Sequence, residues 1–448
     1  MENKYDVVII GGGIAGLTIT ELFSRSGHNV LLIESKDRLC SEASGSHHGW
    51  FHFGSLYSIF PKNNFMRTLV GGLEDLMNYY SDFEGMNLSI NNSGKLNVNK
   101  IKNQWIRDEP ISYLVASRNN EDFNIMKSIN IISFFQKLFF KLTWEFSLKQ
   151  FISRHNSFIK YNWKKKLASK EIPKFNWLNY SKKYIGKPSK NDFNFNINSH
   201  FLLDGFDRPM NPINIIKDLI KSLFSSGGKI ELNCTYKNYK KIDNDLFEIY
   251  TSKENYLAKK IIFTSGKNLK NHLHEKEKFS VMASPLVVIY PAVSTQHIVR
   301  LTPFVDKTIN HLHHEINGIK YSVIGGGYVA PANDDKKINE IEKKLKEITL
   351  KFFKNIDKNS YIDSYISYKT ELIKSPGERN YQYIVKEVKD NIYTVIPGKF
   401  TLSFSAAIDC YKKIYKKDPS NKIYLNESLN VDQYVGNMRH ADMVLLSI

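Results

Sequence analysis

The sequence predicts an α/β fold, and two observations near its start lead to that prediction. Residues 5–10, YDVVII, are a short apolar run rich in β-branched side chains, which is typical of a buried parallel strand. Gly11, Gly13 and Gly16 then give the spacing G-x-G-x-x-G, and the next residues, 14–26, predict a helix. A strand, a glycine turn and a helix in this order indicate the first unit of a Rossmann-type nucleotide-binding domain.

The glycine turn predicts a dinucleotide site. Gly11 permits the tight turn, Gly13 lets the backbone approach a pyrophosphate, and Gly16 allows the helix to pack close to the strand. Free N–H groups and the positive dipole end at the helix N-terminus attract phosphates. The next strand, residues 29–33, ends in Glu34, whose carboxylate is suited to accept hydrogen bonds from ribose hydroxyls. Because all four parts occur in order, we interpret the turn as a binding site.

Composition excludes several classes of protein. With 448 residues, 42% of them hydrophobic and 24% charged, the chain is globular and long enough for two or three domains. The net charge is +18, yet only 10 of the 63 basic residues are arginine, so we expect no nucleic-acid partner. The charge fits a solvated, lysine-rich surface that steers an anionic substrate weakly. The three cysteines are scattered, which fits a reducing cytoplasm. The sequence shows no leader pattern and no long apolar run, so we expect a cytoplasmic protein. We predict no metal site.

The segment after Glu34 distinguishes between FAD and NAD. An NAD domain would run into its next helix here, but the segment is rich in Gly, Ser and His. Residues 45–54, GSHHGWFHFG, carry the spacing G-x-x-x-G-x-x-H-x-G. This stretch resembles the second signature of the D-amino-acid-oxidase-like superfamily of FAD-dependent oxidoreductases. It is nearest to the L-2-hydroxyglutarate dehydrogenase and glycerol-3-phosphate dehydrogenase branches, and Tyr57 matches the former. The resemblance implies FAD as the cofactor.

Two further segments resemble the same superfamily. KKIIFTSGKN, at 259–268, is similar to a strand that ends in a small residue and glycine near the cofactor. IPGKFTLSFSAA, at 396–407, resembles the closing strand, turn and helix that bring N–H groups to the flavin ring. Together, the motifs and the resemblance predict the following cofactor-binding residues: Gly11, Gly13, Ile14, Ala15, Gly16, Glu34, Ser35, Arg38, Ser44, Gly45, His47, His48, Gly49, Thr264, Gly266, Gly398, Lys399, Phe400 and Thr401.

Three residues are candidates for a direct role in the reaction. His52 is the best proton acceptor, because histidine titrates near neutrality, although a packed core histidine is the competing interpretation. Arg379 resembles the arginine that clamps a substrate carboxylate in relatives, and a structural ion pair is its alternative. Lys399 is suited to stabilise negative charge on reduced flavin, or is a surface lysine. Some relatives bind FAD covalently through histidine, which leaves two roles open for His47 and His48: attachment, or packing beside the ring.

The resemblance implies a discontinuous layout. We expect a Rossmann-type FAD-binding domain from 1–75, 205–275 and 380–448. The remaining pieces, 76–204 and 276–379, are expected to form an α+β substrate domain on a mixed sheet. In the latter piece, a second glycine cluster at 325–327 does not open a helix, because the next helix is predicted to begin only near Asp334 and to run to about Lys354. We therefore interpret this cluster as a strand end and not as an NAD site.

Residues 121–190 form a Lys- and Phe-rich helical insertion. The favoured interpretation is that its helices cap the substrate pocket and bury their aromatic side chains. The alternative is an interfacial surface that binds anionic lipid, so peripheral membrane contact is possible but not favoured.

The sequence leads to one main functional hypothesis. It is an FAD-dependent dehydrogenase or oxidase that takes hydride from a CH–OH or CH–NH carbon of a small polar, anionic substrate such as a hydroxy acid or amino acid. The electron acceptor is left unspecified. A flavin-dependent sugar mutase without net redox, and a membrane-docking flavoprotein, are the alternatives.

Overall fold

The architecture is that of a computed structural model, which describes most of the chain. It describes residues 4–52, 72–77, 79, 88–90, 92, 96–98, 105–117, 119–159, 192–205, 207–272, 279–373, 379–380, 382–420, 426 and 428–448. Phe53, Gly54 and Tyr57 of the second signature, and residues 160–190 of the insertion, lie outside this set.

The described elements begin with a strand, a helix and a strand, and strands outnumber helices along the rest of the chain. The strands are β1 (Lys4–Ile10), β2 (Val30–Ile33), β3 (Trp50–Phe51), β4 (Leu88–Ile90), β5 (Leu96–Val98), β6 (Ser112–Ala116), β7 (His200–Asp204), β8 (Arg208–Pro209), β9 (Lys229–Glu231), β10 (Tyr236–Asp243), β11 (Leu246–Thr251), β12 (Asn255–Phe263), β13 (Phe279–Tyr290), β14 (Ile298–Leu301), β15 (Ile309–Ile316), β16 (Ile319–Gly326), β17 (Ala330–Pro331), β18 (Tyr361–Ile373), β19 (Arg379–Asn380), β20 (Ile384–Lys389) and β21 (Ile392–Ile396). The α-helices are α1 (Ile14–Arg25), α2 (Ile131–Ile159), α3 (Pro212–Ser225), α4 (Asp335–Phe352), α5 (Ser403–Tyr415) and α6 (Arg439–Leu445).

The first sheet has a parallel centre. Its strands β9, β2, β1, β12 and β21 pair in that order, and every pair among them is parallel. Antiparallel β10, β11 and β20 complete its eight strands. Helix α1 packs between α3 and α5 on one face, which buries the continuous apolar runs of β1 and β2. A parallel sheet covered on its faces requires such runs, because neither face meets water.

The second sheet is mixed. Its strands follow the order β19-β18-β13-β16-β15-β14-β6-β7, with β17 beside β13, and only the β14–β6 pair is parallel. Helix α4 lies on this sheet through Ile338, Ile341 and Leu345, which recur at helical spacing and are buried. The α/β class with a Rossmann-type sheet and a mixed second sheet is therefore confirmed. The domain boundaries themselves stay a prediction.

Local signals in the sequence place several element ends correctly. The predicted helix 14–26 is α1, which ends at Arg25 before Gly27, whose φ is +87°. Asp334 caps α4, accepting a hydrogen bond of 2.9 Å from the Lys337 N–H. The first two glycines of the cluster at 325–327 are the last residues of β16, and no helix opens there, so its interpretation as a strand end is confirmed.

Helix α2, within the insertion at 121–190, does not bury all of its aromatic side chains as predicted. Trp144, Leu148 and Ile152 are buried against the second sheet, but Phe135, Phe139 and other large apolar side chains of α2 are exposed. The expectation that the insertion buries its aromatic residues is therefore wrong for this face. The physical reason is that α2 is apolar around most of its circumference, and the sheet covers one side only. Among the described residues, no helix combines the length and apolarity needed to cross a membrane.

Candidate active site

A cavity of about 760 Å³ lies where the two sheets meet. It opens at the carboxyl ends of β1, β2 and β12, the edge at which parallel α/β sheets bind ligands. Residues 368–371 of β18, in the second sheet, form its opposite wall. The volume falls within the range of roughly 300–1,000 Å³ that is typical of small-molecule and cofactor sites.

The glycine turn has the geometry that its sequence requires. Gly11 has a φ of +111°, and a Cβ atom there would lie 2.9 Å from the backbone of Ser265. A Cβ at Gly16 would lie 1.9 Å from the Gly11 carbonyl oxygen, so only glycine lets α1 approach β1 this closely. Gly13 is different: it is the N-cap of α1 and lines the cavity, and a Cβ there would meet only Ser44 Oγ at 3.6 Å.

Two polar side chains hold this turn in place. The Glu34 carboxylate accepts hydrogen bonds from the Gly12 N–H at 2.6 Å and the Lys36 N–H at 2.9 Å. The Ile14 N–H donates to Ser44 Oγ at 3.0 Å. Both side chains line the cavity, so the end of β2 and the N-terminus of α1 border the same space.

The structure brings most of the predicted site residues to this cavity. The lining includes Gly11, Gly13, Ile14, Ala15, Glu34, Ser35, Ser44, His47, His48, His52, Thr264, Gly266, Gly398, Lys399, Phe400 and Thr401.

Of the predicted site residues whose side chains are described, four are absent from the lining. Gly16 packs on Gly11, Gly45 lies against the Cys40 carbonyl, and Gly49 lies against the His314 ring. Arg38 is exposed, and its guanidinium lies beside Gly436 in the C-terminal segment, where an added Cβ would come within 3.0 Å of it. Arg379 belongs to the short strand β19, paired with Ile373, and its side chain is outside the described set.

His47 and His48 line the cavity and are half-buried. Burial, before all other causes, lowers the pKa of His47 to about 3 and that of His48 well below the ordinary value, so both rings are neutral. His47 Nδ1 accepts the Gly49 N–H at 2.9 Å, and its ring meets Phe400 edge-on. The Nε2 atoms of both histidines are buried without a hydrogen-bond partner among the described residues.

His52 lies beside a buried carboxylate. Its ring stacks on Trp50 with centroids 4.4 Å apart, and its Nδ1 lies 3.7 Å from Asp207 Oδ2. Burial first, and the Lys399 ammonium second, lower the pKa of His52 to about 4, while Asp207 opposes them. The ring is therefore neutral at physiological pH and able to accept a proton.

Sequence reasoning missed Asp207 and Lys369. Asp207 is fully buried and accepts hydrogen bonds from Trp50 Nε1 at 3.0 Å and the Tyr113 hydroxyl at 2.6 Å. Lys369 lies in the middle of β18 and lines the cavity. Neither residue belongs to a local motif, since β8 must pair with β3 and β18 must face the first sheet before these side chains reach the site.

Replacing Asp207 separates its role as acceptor from its charge. Asp207→Ala leaves two buried donors without their acceptor, so we expect a loss of about 1–3 kcal/mol in unfolding free energy for each. Asp207→Asn keeps an oxygen for both donors, and we expect it to unfold at a clearly higher temperature than Asp207→Ala. Thermal unfolding of both FAD-loaded variants measures this difference. Equal unfolding temperatures for the two variants would contradict the acceptor role.

The cavity fits FAD. Besides the two histidine Nε2 atoms, Ser265 Oγ and Thr401 Oγ1 are buried lining atoms that lack a partner within the described part of the chain, and a bound polar molecule would satisfy them. The carboxylate and N–H groups near Glu34 suit the ribose and phosphates at one end. Aromatic and basic side chains, including Phe400 and Lys399, suit a flavin ring at the other.

Comparisons with known proteins agree with this site. A family model described as FAD dependent oxidoreductase matches residues 6–110. Digeranylgeranylglycerophospholipid reductase from Sulfolobus acidocaldarius is 36% identical over 75 residues, 16% of this chain. The chain matches only 17% of the length of that relative.

Two solved structures share the whole fold at low sequence identity. L-alpha-glycerophosphate oxidase from Mycoplasma pneumoniae, solved with FAD bound, has a TM-score of 0.58 and 15% identity, covering 96% of this chain and 99% of that one. NikD, an amino acid oxidase essential for nikkomycin biosynthesis, has a TM-score of 0.57 and 13% identity, covering 96% and 100%. The family match therefore covers the glycine turn and the segment after it, and the solved structures share the fold of the chain as a whole.

Proposed function

We propose that this enzyme oxidises a small anionic substrate at a carbon that bears a hydroxyl or an amine, with His52 as the proton acceptor. The observation that carries the proposal is that neutral His52, held beside buried Asp207, shares one cavity with Lys369 and Lys399. FAD, when bound, supplies the hydride acceptor.

His52 is placed for proton transfer by its neighbours. Stacking on Trp50 limits the ring to one plane, and Asp207 lies on its Nδ1 side. The buried carboxylate stabilises the imidazolium that forms when the ring accepts a proton. His52 is therefore the proton acceptor, and Asp207 is its counter-ion. A neutral ring is needed first, and the burial that lowers the pKa of His52 provides it.

Two lysines give the cavity its preference for anions. Lys369 comes from the second sheet and Lys399 from the turn that precedes α5, so positive charge lines the cavity from both sides. Both ammonium groups lower the pKa of His52, which places them within electrostatic reach of its ring. A carboxylate or phosphate on the substrate would meet this charge. Arg379 stays a predicted carboxylate clamp.

The oxidases that share this fold support two substrate classes. NikD is described as an amino acid oxidase, and the Mycoplasma pneumoniae enzyme acts on L-alpha-glycerophosphate. We therefore propose an amino acid or a glycerophosphate-like alcohol as the substrate, and the α-hydroxy acid predicted from the sequence is the third candidate.

Anaerobic reduction of the bound flavin tests this proposal. α-Amino acids, α-hydroxy acids and glycerophosphate are added in turn to the FAD-loaded enzyme, and the visible absorbance of the flavin is followed. We expect at least one anionic compound to bleach the flavin, and its uncharged amide or alcohol analogue to do so far less. With that compound, Lys369→Met is expected to raise KM by a factor of roughly 10 to 100, because one charged contact contributes about 1.5–3 kcal/mol. Lys343→Met, on the exposed side of α4, is the matched control. Equal bleaching by charged and uncharged analogues would overturn the anionic assignment.

A further inference from the structure

Helix α2 has one apolar side that is anchored in the molecule. Trp144, Leu148 and Ile152 lie four residues apart and pack into the core that Tyr113 and Val115 of β6 share. The Trp144 Nε1–H donates to the Ala116 carbonyl at 2.8 Å. These contacts fix the orientation of the helix, so its opposite side has a fixed direction as well.

The opposite side is also apolar, and it faces solvent. Phe135, Phe139, Leu142 and Phe146 recur at spacings of four, three and four residues, which places them in one stripe along the helix. Their exposed fractions are 59%, 64%, 61% and 55%. We call these four residues, together with Ile131, the outer face of α2. Monomeric proteins rarely expose contiguous apolar surface of this extent without a partner for it.

The surface continues beyond the helix N-terminus. Met126 and Ile129, in the turns that lead into α2, are 92% and 95% exposed. Lys127 and Lys149 are exposed near the two ends of the outer face. Apolar side chains with lysines around them are the pattern that binds a bilayer interface, where the apolar groups enter the acyl boundary and the lysines meet anionic headgroups.

The charge of this region indicates which kind of partner covers the outer face of α2. Residues 125–152, which include most of α2 and the turn before it, hold four lysines and one glutamate in a chain whose net charge is +18. An anionic surface complements this charge, whereas a second copy of the chain would bring the same lysines together and be repelled. We propose that the outer face of α2 docks the enzyme on a phospholipid bilayer that contains anionic lipid. The helix would lie in the plane of the interface. This inference does not depend on the proposed substrate.

Co-sedimentation of the FAD-loaded enzyme with lipid vesicles tests the proposal. Vesicles of phosphatidylcholine mixed with phosphatidylglycerol are compared with vesicles of phosphatidylcholine alone, at low salt, where surface charge is least screened. We expect binding to the mixed vesicles and at least tenfold weaker binding to the neutral ones.

Two pairs of variants assign the binding to the outer face. Phe135→Ser with Phe139→Ser removes two apolar anchors, and we expect at least a tenfold lower partition coefficient on mixed vesicles. Ile242→Ser with Leu350→Ser is the matched control, because both side chains are exposed elsewhere on the molecule, and we expect no change. Lys127→Glu with Lys149→Glu is expected to weaken binding about tenfold or more, at about 1 kcal/mol for each lysine. Lys336→Glu with Lys343→Glu, on exposed positions of α4, is its control. FAD content and unfolding temperature show that each variant is folded.

Three results would overturn the proposal. The wild-type enzyme could fail to bind mixed vesicles at low salt. The variant without both phenylalanines could bind mixed vesicles as well as the wild type does, which would mean that lysines alone adsorb the enzyme to the vesicles. Light scattering could show a dimer that the phenylalanine variant dissociates, in which case a second copy covers the outer face.

Discussion

Gly13→Ala is expected to weaken FAD binding about 10- to 100-fold and to leave the fold intact. A Cβ at this position meets only Ser44 Oγ at 3.6 Å, an ordinary contact, so the free protein has room for it. Gly13 lines the cavity at the N-terminus of α1, where we propose that the backbone approaches the phosphates of FAD. A methyl group there would cost one or two charge-assisted hydrogen bonds, about 1.5–3 kcal/mol each. Titration of the FAD-free protein with FAD measures the change.

Gly16→Ala provides the comparison. Its Cβ would lie 1.9 Å from the Gly11 carbonyl oxygen and 2.7 Å from Thr264 Oγ1, so α1 and β1 must separate. We expect a lower unfolding temperature together with loss of FAD, since overpacking of this kind costs about 1–3 kcal/mol or more. If Gly13→Ala bound FAD as tightly as the wild type, the phosphates would have to lie elsewhere.

His52→Gln is expected to lower the rate of flavin reduction by a factor of roughly 10²–10⁴, the usual contribution of a general base. The pH dependence gives a second readout. His52 must be neutral to accept a proton, so activity is lost as pH falls through its pKa, which burial and Lys399 set at about 4. We expect the acid limb of kcat/KM near that value for the wild type.

Asp207→Asn tests whether the acid limb belongs to His52, because Asp207 lies next to that ring. Asp207 raises the pKa of His52, so removing its charge is expected to shift the acid limb to lower pH. Gln at position 52 is expected to remove this limb. An acid limb that stays in place in His52→Gln would assign it to another group and contradict the role of His52.

The parts of the fold that the sequence predicts are the local ones. The glycine turn, Glu34 at the end of β2 and the cap at Asp334 each depend on residues close together in the chain, and the structure has all three. Asp207 and Lys369 reach the cavity only through the pairing of distant strands, and a single sequence carries no signal for that pairing. The superfamily resemblance supplied part of this missing information for the turn at 397–401, but not for β18.

Two expectations show where local patterns mislead. Arg38 follows Glu34 closely in sequence, yet its side chain lies beside Gly436 and does not line the cavity. The apolar periodicity of α2 predicts a helix correctly, but it does not reveal which side is covered. The direction of a side chain, and the side of a helix that is covered, depend on the packing of the whole chain, which periodicity does not encode.

The most direct test of the central claim uses a substrate with deuterium at the carbon to be oxidised. Once an anionic compound that bleaches the flavin is identified, its reduction of the bound FAD is followed anaerobically with hydrogen and with deuterium at that carbon. We predict that deuterium slows the reduction several-fold, because the carbon–hydrogen bond breaks as the flavin is reduced. Turnover of a compound with no change in the oxidation state of the flavin, and with no effect of deuterium, would contradict the claim and favour an isomerase without net redox.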